Sequence, residues 1–199
     1  MPNLRPDNPH PMAALFDPQP TLTDSAVRLR PLRADNFEAL YAVAADPLIW
    51  EQHPNPMRYR REVFDIYFAG AMESGGAFLI EDPETSEVLG STRFYDYDAA
   101  TRSVLIGYSF LTRARWGGPT NRAVKTLLLD YAFANGIEKV YFHVGAGNRR
   151  SQRAMEKLGA EKVEERDVAY HGERETRNYV YRIGRAGWQS ARIATRPAR

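Results

Sequence analysis

Two stretches of this 199-residue chain combine residue types that can do chemistry. The first is Arg115-Trp116-Gly117-Gly118-Pro119-Thr120-Asn121, between an expected strand and an expected helix. Glycines let the backbone approach a ligand closely, and the helix that follows offers unpaired N–H groups at its positive dipole end. Together they suit an anion such as a phosphate or pyrophosphate. Arg113, Arg115, Arg122 and Lys125 surround the loop with positive charge. The same Gly-Gly-Pro run also serves as a plain connection between elements. The second stretch is Asn148-Arg149-Arg150-Ser151, running on into Glu156-Lys157-Leu158-Gly159. Read alone, Asn148 is a helix cap and Ser151 a polar surface residue.

Both stretches need elements to hold them. Val27-Arg28-Leu29-Arg30-Pro31 alternates as a half-buried strand does. Asp35 or Asn36 caps a helix running to about Ala45, limited by Pro47, and a second helix spans about Arg60 to Glu73. The loop between them is Trp50-Glu51-Gln52-His53-Pro54-Asn55-Pro56. Strands at Ala77–Glu81, Glu87–Tyr95 and Ser103–Phe110 are closely spaced, which predicts antiparallel pairing. The pattern then alternates. A helix from about Asn121 to Ala134, with Val124, Leu127, Leu128 and Tyr131 for burial, precedes a strand at Lys139–Val144. A helix from Arg149 to Leu158 follows, stopped by Gly159, then strands at about Lys162–Ala169 and Thr176–Ile183 around a His171-Gly172 turn. Strand, helix, strand asks for at least one parallel pair, hence an α/β chain with a mixed sheet and helices on its faces.

Composition narrows the chemistry. The chain has no cysteine, which excludes disulfides, thiolate metal sites and a cysteine nucleophile, and fits a reducing cytoplasm. No metal site is expected. A net charge of +2 gives no case for nucleic acid, although every charged residue after Glu175 is an arginine. Nothing is apolar for long enough to span a membrane. Residues 1–22 carry six prolines and read as a disordered arm, 23–187 as one domain, and 188–199 as a flexible basic tail.

Asn148-x-x-Ser151 with Glu-Lys-Leu-Gly, placed directly after a strand, resembles the second acetyl-coenzyme A motif of the GNAT N-acetyltransferases. Trp116 to Phe133 resembles the Trp-Gly-x-Gly loop and helix of their ribosomal-protein-alanine N-acetyltransferase branch, and Ile106-Gly107-Tyr108 the strand before it. The resemblance covers about four-fifths of the chain. It implies a mostly antiparallel seven-stranded sheet whose central parallel pair splays apart. Acetyl-CoA would be the cosubstrate, its pantetheine arm in the gap against Phe110, Leu111 and Thr112. Its pyrophosphate would rest on Arg115, Trp116, Gly117, Gly118, Thr120 and Asn121, with Asn148 and Ser151 across from them. The partner is an amine acceptor, a small molecule or a protein N-terminus, framed by the Trp50–Pro56 loop, Tyr95–Asp98 and the hairpin near His171. A homodimer is open in this superfamily.

The chain also departs from the family. Pro119 stands where a second glycine is usual, removing one N–H donor. Leu105 replaces a glutamate used as general base, and Met155 a tyrosine used as general acid. Ser151 is the candidate acid in its place. His143, beside the gap, His53, in the acceptor loop, and Asp96, at a strand end, are the candidate bases. The alternatives to catalysis are an acyl-CoA sensor and a ribosome- or RNA-associated scaffold.

Overall fold

The computed structural model describes residues 16–169 and 173–194. Its strands are β1 (Leu22–Thr23), β2 (Arg28–Pro31), β3 (Ala77–Glu81), β4 (Val88–Asp98), β5 (Ser103–Leu111), β6 (Lys139–Gly145), β7 (Glu161–Val168) and β8 (Thr176–Gly184). The helices are α1 (Phe37–Ala44), α2 (Arg61–Glu73), α3 (Thr120–Ala134), α4 (Arg149–Leu158) and α5 (Arg185–Ala194). The strands form one sheet in the order β1-β2-β3-β4-β5-β6-β8-β7. Only β5 and β6 run parallel among the described pairs, with α3 as their crossover.

Alternation along the strands splits the core in two. Phe78 and Ile80 of β3 join Val104, Ile106, Val124, Leu128 and Val140 on the face covered by α3 and α4. Ala77 and Leu79 of the same strand point the other way, into Leu40, Phe64, Tyr67 and Phe68 of α1 and α2. Period-two patterning with both faces apolar is what a doubly covered central strand requires.

Three expectations need correction. The sheet has eight strands because Leu22 and Thr23 pair with Leu29 and Arg28. The arm expected over 1–22 is packed from Phe16 onward: Phe16 is buried with its ring edge-on to Phe94 at 5.2 Å, and the Tyr131 hydroxyl donates to Asp17 O. The tail expected over 188–199 is helical to Ala194, because Trp188 is buried and its Nε1 donates to Asp130 Oδ1 at 2.7 Å. Residues 1–15 and 195–199, and the turn at His171-Gly172, lie outside the described residues.

One irregularity organises the centre of the molecule. Ser91 pairs with Phe110 and Arg93 with Gly107, so β5 has one residue more than β4 over that interval. This is a β-bulge, with Tyr108 in the left-handed region at φ 53°. The extra residue switches the faces. Ile106 points into the α3-side core, whereas Tyr108 and Phe110 point to the α1–α2 side. Gly90 lets the strands approach there, since a Cβ on it would collide with the Phe110 carbonyl oxygen.

Candidate active site

Strands β5 and β6 pair only from Ser103 to Leu105 and from Lys139 to Tyr141. Past that point they separate, while β6 stays paired with β8 along its length. The opening is a cleft of about 120 Å³, lined by Gly107, Tyr108 and Ser109 on one side and Phe142 to Gly145 on the other. The N-terminal halves of two helices close it. Asn121 and Lys125 come from α3, and Asn148, Ser151 and Met155 from α4.

Local sequence explains α4. The Asn148 side-chain oxygen accepts from the Ser151 N–H at 3.0 Å, capping the helix, and Gly159 ends it at φ 82°. The cap uses the oxygen of Asn148, a residue that also lines the cleft. Ser151 stands one turn into the same helix and lines the cleft as well.

The loop at 113–119 is held by side-chain contacts. Trp116 Nε1 donates to Leu111 O at 3.1 Å, and the Arg150 guanidinium lies 3.7 Å above the Trp116 ring. Gly117 adopts φ 74°. Thr120 and Asn121 open α3, and Pro119 stands before them at a helix entrance where its missing N–H costs little. Arg115 is bound to Asp82 at 2.8 Å, which ties the loop to the β3–β4 turn. Two backbone groups expected to face the coenzyme are already engaged: Thr112 N–H donates to Leu89 O, and Leu111 O accepts from Trp116. The Phe110 ring packs 4.9 Å from Trp50, on the α1–α2 side.

Two of the candidate bases, His143 and His53, border the cleft, and Asp96 lies outside its lining. His143 lines the cleft, with its ring 6.4 Å from that of Tyr95. Burial, and then Arg166, hold its imidazole below the ordinary histidine range, while Asp96 and Glu164 oppose this; its Nδ1 is buried without a hydrogen-bond partner among the described residues. A neutral imidazole is the form that can accept a proton. His53 also borders the cleft, but Nδ1 accepts from the Asn55 N–H and Nε2 lies 3.1 Å from Arg58 Nη1. Burial and the Arg58 charge hold it well below the usual value. Asp96 is the bulge residue of β4 at φ 49°, exposed and apart from the cleft lining.

Beside the cleft, on its α1–α2 side, the structure adds two arginines that no sequence motif marks. Arg58, 2% exposed, makes a 2.6 Å ion pair with Glu173. Its guanidinium lies 5.0 Å from the Tyr67 ring centre and 5.6 Å from that of Trp50. Arg93 is buried 3.8 Å over Tyr108. On the α3 side Lys125, 4% exposed, donates to Ser109 Oγ at 2.6 Å, and burial pushes its ammonium down to about 7. Among the described residues no cluster of acidic and histidine side chains could hold a metal ion, and no helix is long and apolar enough to cross a membrane.

A family model for the acetyltransferase (GNAT) domain matches residues 26–161. Solved structures agree on the fold. A T. thermophilus protein described as an acetyltransferase is 26% identical with a TM-score of 0.72, over 89% of this chain and 97% of that one. A GCN5-related N-acetyltransferase from Brucella melitensis is 20% identical with a TM-score of 0.75, over 88% and 83%. RimJ of Mycobacterium smegmatis, solved in complex with CoA-disulfide, is 18% identical with a TM-score of 0.64, over 87% and 93%.

Proposed function

Because this chain belongs to the GNAT acetyltransferase family, we propose that it transfers the acetyl group of acetyl-CoA to a primary amine by direct attack in a ternary complex. The observation that carries this reading is the cleft between β5 and β6, open to one helix start from the phosphate loop and another from Asn148. Acetyl-CoA supplies the activated acyl group. The protein's part is to hold it, polarise its carbonyl and manage protons.

The N–H groups at the start of α3, with the side chains of Thr120 and Asn121, would hold the pyrophosphate. The Asn148 amide would hold the pantetheine arm. Backbone N–H of the bulged β5 segment would polarise the carbonyl, as an oxyanion hole does. His143 would take the proton of the attacking amine, or pass it to water. The Ser151 hydroxyl would donate a hydrogen bond to the departing sulfur. Its removal in Ser151→Ala should lower kcat by about tenfold or more with little change in the KM for acetyl-CoA; an unchanged kcat at saturation would remove Ser151 from this role.

The acceptor side favours an amine of low pKa. Arg93 places positive charge over Tyr108, which opposes a polycation. An α-amino group, with a pKa of about 7.7–8.0, reaches its neutral form with little help. The test is thermal unfolding with acetyl-CoA, followed by transfer to an amine panel. Ligand at about 100 times its Kd should stabilise by about 2.7 kcal/mol, or about 5–10 °C. Binding without transfer to any amine would support a sensor instead, a reading favoured by Leu105 and Met155 at the family's base and acid positions. No shift at millimolar acetyl-CoA would defeat both.

A further inference from the structure

We propose that Lys125 is the proton donor to the sulfur that leaves when acetyl-CoA gives up its acetyl group. This rests on the acetyl transfer proposed above and names a residue that no family motif carries. The geometry begins with the bulge. By switching the faces of β5 it turns Tyr108 and Phe110 toward the aromatic side and leaves Ser109 to meet α3. Lys125 reaches that serine from the second turn of α3, and Ser109 Oγ lies 2.7 Å from Thr92 Oγ1. Ser109 holds one side of the lysine head, and Thr92 in turn holds Ser109.

What is missing around Lys125 matters as much. Among the described residues no carboxylate pairs with it, and its other close neighbour is the face of Phe142, 5.8 Å from Nζ. Buried cations are ordinarily paired, because an isolated one is costly. Here the unbalanced ammonium lines the same cleft as Ser151, Asn148 and Met155. The chemistry of that cleft creates an anion: a thiolate forms as the C–S bond breaks. Burial lets Lys125 gain and lose its proton near neutrality, as a shuttle must.

The balance is complete without another reactant. The amine nitrogen forms a bond to the acetyl carbon, the C–S bond breaks, and its electron pair goes to sulfur. The Lys125 ammonium gives its proton to that sulfur and becomes a neutral amine. The new amide nitrogen loses its extra proton to His143 or water, and Lys125 is reprotonated from solvent. A serine hydroxyl is the poorer donor, since giving up its proton would leave an alkoxide, whereas the ammonium leaves a neutral amine.

Two arms test the proposal. In the first, Lys125→Met and Lys125→Arg are assayed for acetyl transfer from about pH 6 to about pH 9. Both should lose about 10²-fold or more in kcat, with the KM for acetyl-CoA within about threefold of wild type. The wild-type kcat should decline as Lys125 deprotonates, and the variants should lack that limb. A kcat within about threefold of wild type, or a loss confined to KM, overturns the proposal. In the second arm the lysine side-chain NMR signal assigned to Lys125, by its absence in Lys125→Met, is titrated with CoA and with desulfo-CoA. CoA should raise its pKa by at least one unit (about tenfold in proton affinity) relative to desulfo-CoA; identical titrations overturn it. The second arm needs no amine, so an enzyme that acetylates nothing defeats the transfer reaction while the two coenzyme forms still judge the contact between Lys125 and sulfur.

Discussion

Lys125→Met is expected to make the unliganded protein more stable near neutral pH. Lys125 is 4% exposed, with an ammonium lowered from an ordinary 10.5 to about 7 by burial. The sign follows from proton counting. Between about pH 7 and about 10.5 the unfolded chain carries a proton here that the folded chain has released, so wild-type stability rises with pH across that window. At and below its lower end the full penalty of burying the charge is present. Each unit of pKa difference corresponds to about 1.36 kcal/mol, and losing the hydrogen bond to Ser109 returns about 1 kcal/mol of that. A net gain on the order of 3 kcal/mol, or about 6–12 °C, is therefore expected for a methionine of similar length. Urea unfolding of both proteins at about pH 7 and about pH 10 checks this. The gap should be wide at the lower pH and nearly closed at the higher. A variant less stable than wild type at neutral pH would show that the site tolerates the charge.

Arg58→Ala should act in the opposite direction, and strongly. Its guanidinium satisfies the nearly buried carboxylate of Glu173, faces His53 Nε2, and lies near the rings of Trp50, Tyr67 and Tyr108. Alanine removes the cation and leaves the carboxylate against an aromatic floor. Breaking one side of a buried pair costs about 3–5 kcal/mol, or about 6–20 °C in a protein of this size. Glu173→Gln, which keeps the shape and an acceptor oxygen, should cost less than half as much. The pair also joins the loop after α1 to the segment that begins β8, so the KM for the amine should rise in both variants. A loss under about 1 kcal/mol for Arg58→Ala would mean that the pair behaves as a solvated one.

The order of elements was legible because apolar spacing changes from two to between three and four at each boundary. The parallel pair was legible because a helix intervenes between β5 and β6. Other features depended on contacts that spacing does not reveal. Helix α5 contains Gly187 and follows directly on β8, and what fixes it is Trp188 and Arg192 both reaching Asp130. Strand β1 is two residues long and exists through its pairing with β2. The buried stripe of α3 was read as Val124, Leu127, Leu128 and Tyr131. In the structure Lys125, Leu129 and Ala132 are buried with Val124 and Leu128, while Leu127 and Tyr131 are only partly so. Lys125, Leu128, Leu129 and Ala132 keep helical spacing, so a lysine on that stripe was a visible anomaly. The bulge that gives it a partner is marked in the sequence only by Gly107 beside Tyr108, a residue that an unbroken strand also accommodates.

That bulge also sets how the protein can diversify. Tyr108 and Ser109 are adjacent in the chain, yet one belongs to the aromatic wall beside Arg93 and the other to the polar contacts of Lys125. Under the proposed function, point substitutions at the two positions can therefore drift independently, one expected to alter which amines are admitted and the other how protons are handled. An inserted or deleted residue between Gly107 and Phe110 would reverse both walls together. Length in this segment should be far less variable across descendants of this sequence than residue identity.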